Sequence, residues 1–294
     1  MTTTATKKDG KIHINGTKTW VTSGENSDGF IVVCKNEDPS PENKQMSMYL
    51  VPANAKGVTI EPLNKIGMQI MPFSKVIFDD VVVDESALLG IEGAELLECD
   101  PRRLDDAAAW ECVYVTLTWN HANALAGSHC DAQAQGLTAQ GRDFVRALYA
   151  HRMLPDVSHL SEAAAWDVVR LGLGPVIASH ANSRAVCAHT RNVSDDLFRA
   201  IRDSGGVVGL NLYTDFLGCG GMDAVVRHVE HLLDLGGDRT LALGGDLDGC
   251  NTLGGGITGV QDYPKLYAAI KACGYDAALL QDLFADNWLR VLPK

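Results

Sequence analysis

The chain has 294 residues, 46% hydrophobic and 21% charged, enough for one large domain or two ordinary ones with buried cores. A formal charge of −12 with no basic stripe argues against a nucleic-acid partner. No apolar run approaches the roughly 20 residues that span a bilayer, and the start, MTTTATKKDGK, lacks the hydrophobic segment of a secretory signal. The eight cysteines form no C-x-x-C pair, which fits a reduced cytoplasmic setting better than a disulfide scaffold.

In chain order, the first part reads as antiparallel β. KIHINGTKTWVTS alternates around Asn15-Gly16, a pair that favours a type I′ hairpin turn because both residues tolerate positive φ. GFIVVCKN, MSMYLVPA, VTIEPL and SKVIFDDVVV follow, separated by Gly, Pro, Asn and Ser, and no segment has a helical period. The expected unit is a small antiparallel β-barrel or sandwich. Near residue 90 the chemistry changes. Residues 1–90 hold nine Lys and no Arg, whereas residues 91–294 hold three Lys and thirteen Arg, and eight of the nine histidines. The rhythm becomes strand then helix, repeated. The strands expected are VYVTLTW, MLPDVSH, PVIASH, GGVVGLNLY and RTLALGGD. The helices expected are GLTAQGRDFVRALYAHR, SEAAAWDVVRLG, SDDLFRAIRDS, MDAVVRHVEHLLDLG and DYPKLYAAIKACG. Short apolar strands each followed by an amphipathic helix imply a parallel sheet with helical crossovers, and a TIM-type barrel leads.

Such barrels carry their chemistry at the C-terminal ends of strands. His159 ends MLPDVSH, His180 ends PVIASH, Asp246 and Asp248 end LALGGDLDG, and Glu92 lies in LGIEGAE. Imidazole and carboxylate are zinc ligands, and one βα repeat separates the two histidines. Read singly, each histidine is as well explained as a hydrogen-bonded structural residue, and GDLDG as a turn with a helix cap. The pattern leaves both readings open.

The stretches IEGAE, VTLTWNHANALAG, GLTAQGRDFV, DVSHLS, PVIASHANSRAV, HTRNVSDD, GGVVGLNL, LGGDLDG and ADNWLRVL resemble the membrane dipeptidase family, in family order over about residues 90–294. That resemblance implies a TIM-like barrel and a zinc-dependent hydrolase in which metal-activated water cleaves the peptide bond of a dipeptide. It implies that Glu92, His159 and His180 are metal ligands and that Asp246 handles a proton. Arg191 in HTRN would grip the substrate carboxylate, with Asn120 also contacting substrate, and a complete barrel would form a homodimer. Some family members place an oxyanion-stabilising His after the LT of the fourth strand; this chain has Trp119 there, leaving His121 as the substitute. The family's first strand carries an H-x-D pair for the first of two zinc ions, and this chain is read as having no H-x-D anywhere. The barrel as written begins at its third strand.

DGKIHINGTKTWVTSG, MSMYLVPANAKGVTIEPLNKIGMQ and VIFDDVVVDESALLG resemble the middle β-domain of acyl-CoA dehydrogenases over about residues 1–90. There the TW-x-T segment lies beside the flavin, which would put Trp20 and Thr22 against FAD; alternatively Trp20 fills the β-domain core. The family's helical domains are absent. The expected protein is therefore multidomain: a β-domain over 1–89 joined to an incomplete TIM-like α/β barrel over 90–294. Its expected function is a zinc dipeptidase-type hydrolase, impaired by loss of the first metal-binding strand. A fragment of an FAD-dependent acyl-CoA dehydrogenase and a non-catalytic fusion are the alternatives. Both families share an L-G-x-E-G run, so the seam falls within LLGIEGAELL.

Overall fold

The computed structural model describes the chain apart from residues 1–2, 9, 23, 28, 38–45, 64–72, 85–89, 110–111, 132–134, 219, 248 and 294. The side chains of Trp20 and Thr22, residue 248 and the first two residues of LLGIEGAELL thus lie outside the described residues. Two compact units emerge, Met1–Ala87 and Leu88–Lys294. Among the described residues, no helix is long and apolar enough to cross a membrane.

The first unit is a six-stranded sheet of β1 (Thr4–Lys8), β2 (Lys11–Thr22), β3 (Gly29–Asn36), β4 (Met46–Pro52), β5 (Val58–Pro62) and β6 (Phe73–Asp84), in the order β4-β3-β1-β2-β6-β5. Alternate residues bury one face: Ile12 and Ile14, Phe30, Val32 and Cys34, Val76 and Phe78 form its core with Val51 and Val81. The sheet is mixed and not wholly antiparallel, because β3 pairs in parallel with β1 (Thr4 opposite Lys35). Hydrophobic alternation specifies which face a strand buries, not which neighbour it takes, so this pairing left no trace in the pattern.

The hairpin expected at Asn15-Gly16 is not there. β2 runs straight through both residues, and the turn is instead between Lys8 and Lys11, which pair, with Gly10 at φ 74°. Opposite Asn15, β6 carries one extra residue: Ile14 faces Val81 but Gly16 faces Phe78. That bulge puts Asp80 at φ 46° and turns its N–H out of the ladder, where it donates to Asn15 Oδ1 at 2.9 Å. Asn15 is thus occupied in serving a bulge.

The second unit is a half-barrel of six parallel strands laid side by side in chain order: β7 (Gly90–Glu92), β8 (Tyr114–Thr116), β9 (Leu154–Asp156), β10 (Ile177–Ala178), β11 (Val207–Asn211) and β12 (Leu241–Gly245). The five expected helices form as Ala139–Ala150, Glu162–Arg170, Asp195–Asp203, Met222–Asp234 and Tyr263–Ala272. Three start at caps legible in sequence: Thr138, Ser161 and Ser194 each accept an N–H from three residues on, at 2.9, 3.1 and 3.3 Å. Their buried residues recur at three and four (Phe144, Val145, Leu148; Leu197, Phe198, Ile201), so each lays an apolar stripe on the sheet.

Among the described residues no strand pairs with the outer edges of β7 or β12. The edge of β12 is covered by other means. Val208 N–H donates to Thr240 O, so alternation turns the Leu241 and Leu243 carbonyls to the far side. There Asn287 Nδ2 donates to Leu241 O at 2.8 Å and Trp288 Nε1 to Leu243 O at 2.9 Å. The closing ADNW stretch blunts an edge that would otherwise offer free acceptors.

His228, fully buried in Met222–Asp234, gives this unit a pH dependence. Its Nδ1 accepts from Ser183 N–H at 3.1 Å and its Nε2 faces Leu217 O at 3.3 Å, so the neutral ring is satisfied on both sides. Burial pushes its pKa down to about 4. Below pH 6.5 the unfolded chain takes up a proton that the folded ring refuses, so stability is full above 6.5 and falls toward pH 4. At about 1.4 kcal/mol per unit, urea unfolding should report a loss of about 2 kcal/mol between pH 7 and pH 5. The slope should flatten in His228→Gln, and an unchanged slope would remove His228 as its source.

Candidate metal centre

The register of the half-barrel sets Glu92, Thr116 and Asp156 at one level, at the C-terminal ends of β7, β8 and β9. His159 follows three residues after β9 and His180 two after β10. His159 has φ 66°, a left-handed turn that an L residue adopts only when the surroundings hold it. The result is one compact cluster. Glu92 Oε1 lies 3.0 Å from His159 Nε2 and 3.2 Å from His180 Nε2, and the two Nε2 atoms are 3.0 Å apart. Among the described residues, these three form the group of His, Cys, Asp and Glu side chains able to hold a metal ion, their ligand atoms all within 4.8 Å.

The proton positions make the cluster informative. His159 Nδ1 lies 3.1 Å from Asn120 Oδ1, and His180 Nδ1 lies 2.7 Å from Ser179 Oγ. If each Nδ1 carries the ring proton, both Nε2 atoms present lone pairs to each other and to a carboxylate oxygen. Three acceptors that converge within about 3 Å repel one another unless a cation sits between them. The charge state agrees. Burial pushes His159 down, toward the neutral form in which imidazole is a ligand. Two imidazoles and a carboxylate, with Glu92 still 45% exposed on its side chain, could hold a metal ion and leave a position open.

The other expected residues divide. Arg191 is 4% exposed, and its Nε and Nη2 have no hydrogen-bond partner among the described residues. Its Cζ stands 5.9 Å over the Phe216 ring, and burial lowers its pKa to about 10. Asp246 follows β12 at φ 57° and accepts from Asn211 Nδ2 at 3.0 Å; it is not in the three-residue cluster. Asn120 joins the cluster through its oxygen on His159. Exposed His121 makes no hydrogen bond to the cluster among the described residues. Trp20 and Thr22 lie on β2 in the first unit.

An H-x-D triplet does occur, His129-Cys130-Asp131, but after β8 and with other duties. Asp131 Oδ2 accepts from Ser128 N–H at 2.7 Å, while the His129 ring stands 5.5 Å from that of His159 and meets Thr190 Oγ1 at 3.3 Å. Burial pushes His129 down to about 3. It borders a cavity of about 310 Å³ that is also lined by Ser128, Glu162, Arg184 and His189. Sequence reading missed this residue, and also Asp156 and Ser179 behind His180. The signal for the latter pair was present in D-V-S-H and A-S-H, where small hydroxyls sit beside both histidines.

Comparison with known proteins follows the same division. The profile of the acyl-CoA dehydrogenase middle domain matches residues 1–81, and that of membrane dipeptidase (peptidase family M19) matches residues 79–294. A Klebsiella pneumoniae protein described as uncharacterized, in the pqqA 5′ region, is 38% identical over 216 residues, covering 69% of this chain and 79% of its own. An uncharacterized dipeptidase of Schizosaccharomyces pombe is 31% identical, covering 74% of this chain and 55% of its own. Among solved structures, a metallo peptidase from Rhodobacter sphaeroides, liganded with a phosphinate mimic of the dipeptide L-Ala-D-Ala, is 34% identical with a TM-score of 0.64. That likeness covers 69% of this chain and 61% of the Rhodobacter chain, so the present chain spans less than two thirds of the solved relative. With a profile match across most of its length and a half-barrel shared with solved peptidases, the chain belongs to the membrane dipeptidase family, peptidase family M19, behind an N-terminal segment matching the acyl-CoA dehydrogenase middle domain.

Proposed function

We propose that the chain is a zinc-dependent dipeptidase-type hydrolase with one metal centre, held by Glu92, His159 and His180. The observation that carries this reading is the convergence of Glu92 Oε1, His159 Nε2 and His180 Nε2 at 3.0–3.2 Å from one another, a donor set that a cation would hold together. Zinc there would supply a Lewis acid and an activated water. The remaining chemistry belongs to side chains of the same unit. Arg191, with two unpaired nitrogens in a dry setting, takes the substrate's free carboxylate through its planar fork. Asp246, at the end of β12, accepts and returns a proton, its second oxygen oriented by Asn211. Asn120 holds His159 from behind, and His121, where the loop carries it near the developing oxyanion, would stabilise it.

No H-x-D precedes Glu92, and the triplet at 129–131 is tied elsewhere, so a second zinc lacks its ligands and turnover should be slow. The test uses the full chain stripped with chelator, then titrated with zinc, with L-Ala-D-Ala and L-Ala-L-Ala as substrates and amine release as readout. Hydrolysis should appear with the first equivalent of zinc and vanish on chelation. Protein that binds one zinc tightly and cleaves neither dipeptide would overturn the reading.

A further inference from the structure

We infer that Asp156 and Ser179 are positioning residues that fix the tautomer of His180, so that its Nε2 presents a lone pair and not a proton to Glu92 and His159. This deepens the metal-centre reading and rests on it for its purpose, though not for its geometry.

Asp156 closes β9 and is fully buried. Four donors surround its carboxylate. Oδ1 accepts from Ser158 N–H at 3.0 Å and Ser179 N–H at 2.8 Å, and Oδ2 accepts from Thr116 Oγ1 at 2.6 Å and Ser179 Oγ at 2.5 Å. A carboxylate has no proton to give, so the single hydroxyl proton of Ser179 points at Oδ2. The Ser179 lone pairs are then left facing His180 Nδ1 at 2.7 Å, and only an Nδ1–H satisfies that contact. The opposite assignment would set a hydroxyl lone pair against a buried carboxylate at 2.5 Å, an unpaired acceptor contact of the kind that folded interiors avoid.

The same network holds the ring in place. Ser158 Oγ accepts the His180 backbone N–H at 3.1 Å and lies 3.2 Å from Ser179 Oγ, so main chain and ring are tied to one group of hydroxyls. Thr116 and Asp156 are register partners on adjacent strands, and Thr116 is in turn the partner of Glu92. The carboxylate therefore sits on the rigid floor beneath the cluster. The two histidines are treated differently: His159 has a side-chain amide behind it, and His180 has a hydroxyl backed by a full negative charge.

The experiment reads the proton directly. In the metal-free full chain with ¹⁵N-labelled histidine at pH 8, long-range proton–nitrogen correlations should show His180 as the Nδ1–H form. Ser179→Ala should shift it toward the Nε2–H form and lower zinc affinity by roughly 10- to 100-fold in chelator competition. Ser179→Thr keeps the hydroxyl and should restore both. Asp156→Asn should act in the same direction, and Ser179→Ala keeps the test usable if that buried change disturbs folding. A Ser179→Ala protein that retains the Nδ1–H form overturns the inference, whatever its zinc affinity. A wild type that binds no zinc, with the tautomer still moving in Ser179→Ala, leaves the inference standing and overturns the metal reading alone.

Discussion

Replacing Glu92 by Gln, or His159 by Ala, should lower zinc affinity of the full chain by about a thousandfold. Structural zinc sites bind with apparent free energies of roughly 10–16 kcal/mol, so one of three ligands accounts for about 4 kcal/mol, or about three decades. The two variants should differ in what they do to the metal-free fold. Glu92→Gln replaces a carboxylate that opposes two lone pairs with an amide that can donate to one of them, which relieves repulsion and should hold or raise thermal stability. His159→Ala removes a ring whose Nδ1 engages Asn120, at a residue with φ 66°, and should lower stability by about 1–2 kcal/mol. Loss of zinc affinity in Glu92→Gln without loss of stability would separate a cation site from a structural ion pair. A Glu92→Gln protein that binds zinc as tightly as wild type would exclude the site.

The βα rhythm was legible from the sequence because each helix carries its own cap and its own apolar stripe, as in Thr138 with Phe144, Val145 and Leu148. The three members of the Glu92, His159 and His180 cluster were legible because in a parallel half-barrel a polar residue after an apolar strand has one place to go. What failed was information that no local pattern holds. Asn15-Gly16 has the composition of a turn, but the extra residue that makes it part of a bulge lies some 65 positions away, at Asp80. The parallel partner of β1 was hidden for the same reason. His129-Cys130-Asp131, which the sequence reading passed over, has the spacing of a metal pair, yet Asp131 is spent on the Ser128 amide. Asp156 reads as an ordinary strand-end acid until its four donors, from the end of β8 and the turns just after β9 and β10, are seen together.

Arg191→Met should make the protein more stable and a worse dipeptidase. A guanidinium 4% exposed, with two nitrogens lacking partners, bears a desolvation cost that the Phe216 face at 5.9 Å only partly offsets. Methionine fills similar space without the charge, and replacing such a group is worth about 1–4 kcal/mol in favour of the fold. An ordinary structural arginine would show the opposite sign, since its loss breaks hydrogen bonds that here are not made. Function should move the other way. A substrate carboxylate that pairs with this buried fork gains about 3 kcal/mol, so kcat/KM of the zinc-loaded enzyme toward free dipeptides should fall roughly 150-fold in Arg191→Met. The sharper comparison is between a free dipeptide and its C-terminal amide. Wild type should prefer the free acid by about the same factor, and Arg191→Met should barely distinguish them. A variant that melts lower than wild type and still discriminates against the amide would return Arg191 to the fold and leave the carboxylate without a partner.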